Sequence, residues 1–285
     1  MHLQQLDILP RFILTIFALC FWMAPAVADE SAGTGKLDKA LELVELRAAF
    51  NDMPEQLIKG LDELPDESMA DVRRDELIGL AEKLFGADAL MGDVRDRMSG
   101  QVTAAHLDAV IEFYSTPLGR KLVAMEVAAS GSESQTKIET EGAALYADIK
   151  NKNPDRLNAF DRIEKAIRME DMMSSMIMNM TYAMISGMAG TSMLPQQLTD
   201  DQIAALVNQQ IQASRGLVRQ FLNNFFAYTY RDATNEDLQG YADFAETEAG
   251  RAFNAALVRA MIDAMVQRSR AFGHGLMVLR GVRRT

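Results

Sequence analysis

The strongest constraint on this chain is a pattern that it contains twice. From Thr103 the sequence reads T-A-A-H-L-D-A-V-I-E-F-Y-S-T-P-L-G-R-K-L, and from Thr234 it reads T-N-E-D-L-Q-G-Y-A-D-F-A-E-T-E-A-G-R-A-F. The two stretches align without gaps, pairing Phe113 with Phe244, Thr116 with Thr247, Gly119 with Gly250 and Arg120 with Arg251. Their separation is far longer than a solenoid repeat, so the expectation is duplication of a domain-sized unit. Each copy reads as two helices meeting at a kink. Thr103 and Thr234 are N-cap residues, the second with Asp237 completing a capping box. Leu107, Val110, Ile111 and Tyr114 then share one helical face, matched by Leu238, Tyr241, Ala242 and Ala245. Phe113 and Phe244 fall off that face and should meet a different neighbour. Thr116 and Thr247 read as second N-caps, with Pro117 or Glu248 at the first position of the new helix. Gly119 and Gly250 cost roughly 1 kcal/mol each inside a helix, which implies close approach by another group.

The string Phe113-Tyr114-Ser115-Thr116-Pro117-Leu118-Gly119-Arg120-Lys121 resembles the F-Y-x-[ST]-P-x-G-x-K signature of an uncharacterised family of exported bacterial proteins, the domain-of-unknown-function family numbered 2059. The resemblance weakens at the second copy, where Ala245, Glu248 and Ala252 replace the tyrosine, proline and lysine. It implies an all-helical fold and a periplasmic address, and no reaction.

The rest of the chain agrees on helix. No run of alternating β-branched residues is bounded by turn residues. Leu37, Leu41, Val44 and Ala48 fall at helical spacing, as do Leu57, Ile58 and Leu61 after a break near Pro54. Asn153-Pro154 reads as an N-cap with proline at the first helical position, and Thr199-Asp200-Asp201-Gln202 as a capping box. Beyond it Ile203, Leu206, Val207, Leu217, Phe221, Leu222 and Phe225 mark one face of a long helix. The expected fold is all-α, a helical bundle built from two related helical halves: residues 29–150 and, as a degraded copy, 151–285. The break at Lys150-Asn151-Lys152-Asn153 is preferred as boundary over Ser130-Gly131-Ser132-Glu133-Ser134.

The N-terminus reads as a secretory signal. Arg11 precedes an apolar run from Phe12 to Met23, and Ala26-Val27-Ala28 offers a small-x-small exit, so cleavage is expected after Ala28. The run falls short of the roughly 20 apolar residues that span a bilayer. Cys20 follows Leu19 and not the small residue that bacterial lipidation requires, so it belongs to the discarded segment 1–28. The expected mature protein is periplasmic, lacks cysteine, and keeps no stable transmembrane segment. A net charge of -11 argues against a nucleic-acid partner. Arg268, Arg270, Arg280, Arg283 and Arg284 follow the last acid, Asp263, and read as helix-end cations and a solvated tail.

Catalytic patterns are weak. Ser134-Gln135-Thr136-Lys137 matches S-x-x-K without its companion motifs. Gly33-Thr34-Gly35-Lys36 has the wrong glycine spacing for a phosphate loop. His106 is expected on a solvated helix face, and His274, between two glycines, in a mobile loop. No enzyme activity and no cofactor are expected. The methionines are the more informative feature: Met172, Met176, Met180, Met184 and Met188 form a ladder at intervals of four, a broad winding stripe on a helix. Such a stripe serves most simply as adaptable core filler. It can also line a groove, with Phe221 and Phe225, for an apolar peptide, lipid or partner helix in the envelope. The alternative from another class is Cu(I) binding through Met172, Met176 and Met180, thioethers being soft ligands. Phe221, Phe225, Phe226, Tyr228 and Tyr230 read chiefly as core aromatics.

Overall fold

A computed structural model describes residues 34–62, 72–130, 134–175, 177–178 and 200–279. The expected signal segment, Met176, Met180, Met184, Met188, Thr199 and the arginines beyond residue 279 lie outside them. Among the described residues there is no strand, and the protein is all-α. Helix α1 (Thr34–Leu43) is followed by a 3₁₀ turn (Leu46–Phe50), α2 (Met53–Asp62), α3 (Arg74–Phe85) and α4 (Ala87–Met98). Then come α5 (Ala104–Ser115) and α6 (Pro117–Ser130). A short turn (Ser134–Lys137) and a π-helical turn (Ile138–Gly142) lead into α7 (Ala143–Lys152). After α8 (Pro154–Ile167) and a helical run over residues 169–175, the chain forms α9 (Asp200–Thr229), α10 (Asn235–Ala245) and α11 (Glu248–Leu279).

The caps fall where the local chemistry demands. Thr103 accepts from the His106 amide at 3.2 Å, and Asn153 from the Arg156 amide at 3.1 Å. Thr234 and Asp237 exchange both bonds of a capping box. The two N-termini headed by Asn153 and Asn235 meet, their side-chain amides bonding reciprocally at 3.3 and 3.1 Å. The buried Arg156 donates to the carbonyls of Tyr230 and Ala233 in the turn that follows α9. Burial holds its pKa below the usual arginine range.

One buried core runs through the helices on both sides of residue 150, from Leu37 and Leu90 to Phe253 and Phe272. Helix α11 packs against α3, α4 and α5; α8 lies along α10; and α9 covers the π-helical turn and α7. There Gly142 sits so close to α9 that a Cβ would lie 2.5 Å from the Asn224 carbonyl oxygen. Arg268 of α11 holds Asp93 of α4 through two bonds of 2.7 and 2.9 Å.

Three expectations are corrected. Val44 and Ala48 are buried with Leu37 and Leu41, but the helix ends at Leu43 and Glu45 adopts left-handed geometry (φ 52°) before the 3₁₀ turn. Leu217 is 50% exposed, and its neighbour Val218 takes the inward position. His274 lies within α11 and not in a loop. Phe272 packs edge-on to Phe85, and Gly275 lets Leu80 approach within 2.6 Å of where a Cβ would stand, so this stretch is docked as a helix in spite of its glycines.

Candidate functional site

The two kinked hairpins, α5–α6 and α10–α11, meet at the centre of the molecule. At each kink one threonine bonds both helices. The Thr116 hydroxyl donates to the Phe113 carbonyl at 2.7 Å and its oxygen accepts from the Gly119 amide at 3.0 Å. Thr247 makes the same two bonds, to Phe244 and Gly250, at the same distances. The glycines are explained by this fold-back: a Cβ would stand 2.4 Å from the Phe113 oxygen at Gly119, and 2.3 Å from the Phe244 oxygen at Gly250. Phe113 and Phe244, expected to seek another neighbour, find each other. Their rings stack with centroids 3.8 Å apart and planes within 1° of parallel, and Tyr114 stands edge-on to both. Lys121 reaches from α6 to Asp237 on α10 at 2.5 Å.

Beside this junction is a cavity of about 100 Å³. Its walls are mostly apolar. Met169, Met172 and Met173 come from the helical run after α8, Phe221, Leu222 and Phe225 from α9, and Phe253, Leu257, Val258 and Met261 from α11. Val44, Leu46 and Ile167 complete them. Two left-handed residues frame the opening stretches of chain: Glu45 sits between Val44 and Leu46, and Arg168 (φ 55°) between Ile167 and Met169. For residues other than glycine this geometry costs roughly 1–2 kcal/mol. In both places it turns the chain so that the residues on either side face one cavity.

The polar part of the lining is concentrated. Glu126 of α6, Tyr114 of α5, Tyr230 just after α9 and Tyr241 of α10 line it together, with Asn254 of α11. Glu126 is 4% exposed. Its Oε1 accepts from the Tyr230 hydroxyl at 2.6 Å. Burial pushes the carboxyl up to about 7, against the hydrogen bonds of Tyr230 and Tyr241, which favour the ionised form. The three phenols are also raised, first by burial and then by the Glu126 charge, and Tyr241 bridges the other two. Among the described residues no lysine, arginine or histidine lines the cavity.

Of the groove residues expected from sequence, Met172, Phe221 and Phe225 line this cavity. Met172 and Met173 are buried in the monomer, as core filler would be, yet both edge the cavity. Met176, Met180, Met184 and Met188 lie outside the described residues. His106 is a part-buried neighbour of the exposed Glu248 at 3.6 Å. The Ser134 hydroxyl is buried and bonded to the Ala128 carbonyl, an unpromising arrangement for a nucleophile. Glu126 carried no motif and was missed. The available signal was an acid, three positions after Val123, on a helix whose inward face is otherwise apolar.

Fold and site together define an all-α protein with a partly open, mostly apolar pocket that holds, among the described residues, one carboxyl, Glu126. Residues 88–148, which hold α5, α6 and the first kink, match the model of a family described as an uncharacterised protein conserved in bacteria (DUF2059). The resemblance carried by Phe113 to Lys121 falls inside this segment. No curated protein and no solved structure matches the chain.

Proposed function

We propose that this is an exported, periplasmic binding protein, without catalytic activity, whose cavity takes the apolar part of a ligand. The observation that carries the reading is the cavity itself. A partly open apolar hollow of this order leaves hydrocarbon surface in contact with water, which an apolar occupant would cover. Water is a poor occupant where most of the wall offers it no hydrogen bonds. A lipid chain, an apolar side chain of a peptide or a partner helix has the right surface. We also propose that the two kinked hairpins descend from one duplicated unit, which the matching threonine bonds and the self-stacked Phe113–Phe244 pair support. No helix among the described residues is long and apolar enough to cross a membrane, in keeping with a protein free of the bilayer after processing.

The test is titration of the full-length product, labelled with [methyl-¹³C]methionine, with hexanol as a neutral apolar probe. The Met172, Met173 and Met261 methyl signals should shift together in a saturable way, and Val258→Phe, which fills the cavity, should abolish the response. No saturable shift at the solubility limit of hexanol would refute the binding reading. Export has its own check: N-terminal sequencing of protein recovered from the periplasm should begin at Asp29.

The cuprous alternative keeps one point in its favour. Met169, Met172, Met173 and Met261 all border the cavity, which gathers soft thioethers without a histidine. Of the expected copper ligands, only Met172 is described. Competition with a cuprous probe, lost on Met172→Leu, would favour copper; absence of competition removes it.

A further inference from the structure

We infer that the ligand of this cavity carries an ammonium group on an apolar body, with Glu126 as the residue that recognises it. The inference rests on the binding reading above and names the chemistry of the head group. Three observations lead to it. Glu126 is buried and lines the same cavity as the apolar wall, so an occupant lying along that wall can reach its carboxyl. Tyr230 occupies one site on Oε1, and with Tyr241 also bonding the carboxyl about two of its roughly four acceptor sites stay open for an N–H donor. No cationic side chain lines the cavity among the described residues, so the protein offers the carboxylate hydroxyl partners but no counter-charge there. A buried carboxylate lacking a counter-ion is costly, and a ligand that brings the positive charge relieves that cost.

The same geometry excludes the opposite head group. With Glu126 ionised, as at pH 8, a fatty-acid carboxylate would meet it with no lysine or arginine among the described lining residues to separate the two charges, and like charges at a buried site repel. Aromatic walls reinforce the choice. Tyr114, Tyr230, Tyr241 and Phe253 line the cavity with Glu126, and ring faces attract cations. A neutral alcohol can hydrogen-bond to the carboxyl but returns no charge.

Three six-carbon probes separate these cases: hexylammonium, hexanol and hexanoate, each titrated at pH 8 against the methyl-labelled protein. Hexylammonium should bind about tenfold or more tightly than hexanoate, a difference of about 1.4 kcal/mol. Its binding should shift the same methyl signals that hexanol shifts. Glu126→Gln keeps the size and a hydrogen-bond acceptor but removes the charge, so the preference should collapse while hexanol binding stays. If hexanol binds and hexanoate binds as well as hexylammonium, the head-group assignment is overturned and the apolar site stands. If no probe moves the cavity methionines, both fall. The probe comparison on the unmodified protein needs no variant to fold.

Discussion

The α5–α6 and α10–α11 hairpins are alike where they bend and unlike where they end. At the bend, threonine, glycine and the fold-back carbonyl superpose in role and in distance. Away from these bonds the side chains differ. By the same gapless alignment, Glu126 stands in α6 where Leu257 stands in α11, and both line the cavity. Tyr114 likewise answers to Ala245, and Lys121 to Ala252. Helix α6 ends at Ser130, while α11 continues to Leu279 and packs along α3, α4 and α5. The bend is thus set by backbone sterics that the two hairpins share, while the side chains facing the cavity differ between them. The α5–α6 hairpin gives the cavity Tyr114 and its carboxyl, Glu126, while α10–α11 gives Tyr241, Asn254 and four apolar residues of the wall.

The largest expected effect tests this divergence. Because burial raises Glu126 from the ordinary glutamate value of 4.5 to about 7, the folded state holds its proton where the unfolded state has released it. Stability should therefore be highest near the unfolded value, fall as pH rises from about 4.5 to 7, and level off above, by an amount on the order of 3 kcal/mol. Glu45, also raised by burial, acts in the same direction. The groups that face Glu126 (Tyr114, Tyr230 and Tyr241) are raised phenols and stay neutral throughout this range. Glu126→Gln should flatten the slope, making the variant more stable than the parent at pH 8 and not at pH 5. Urea melts at both pH values read this directly, and an unchanged slope in the variant would show that the carboxyl is not buried as described.

Next come the glycines, which test the likeness. Gly119→Ala and Gly250→Ala each force a methyl against a carbonyl oxygen and should each cost about 2 kcal/mol. Gly216→Ala is the control. It lies in α9 with nothing within 4 Å of its Cβ position, so alanine should stabilise by roughly 0.8 kcal/mol through helix propensity alone. Thr116→Ala and Thr247→Ala should each cost about 1 kcal/mol for a lost cap. Unequal losses between paired positions, measured by chemical denaturation, would break the equivalence of the two bends.

Much of this architecture was legible in the sequence because it is local. Caps at Thr103, Asn153 and Thr234, the restart at Thr116 and Thr247, and the two glycines are all set by backbone groups a few residues away. The site was not legible, for the opposite reason. Glu126, Tyr230 and Tyr241 come from separate helices, and nothing in the spacing of an acid in α6 says that two phenols will close over it. Leu217 and His274 misled in the same manner. Periodicity assigned Leu217 to the inward face, and flanking glycines assigned His274 to a loop, whereas packing of Val218, Phe272 and Leu80 decided both. The methionine ladder stood between these cases: its period was readable, but only the packing brings Met172 to the cavity edge.

The smallest effect bears on how one hairpin holds the other. Lys121 bonds Asp237 across the junction, whereas the corresponding pair in the reciprocal position is His106 and Ala252, which cannot bond that way. The bond holds the Asp237 carboxyl below the usual range, helped by the Thr234 amide that the same side chain caps. Asp237 therefore serves two structures at once, the N-terminus of α10 and the contact with α6. Lys121→Met leaves the capping box intact and removes only the cross-junction bond. With Lys121 41% exposed, the loss should be about 0.5 kcal/mol, shrinking further in high salt. Asp237→Asn should cost more, because the cap weakens as well. A double-mutant cycle between the two positions isolates their coupling. A coupling near zero would mean that the stacked phenylalanines and the apolar cavity walls, without the ion pair, hold the two hairpins together.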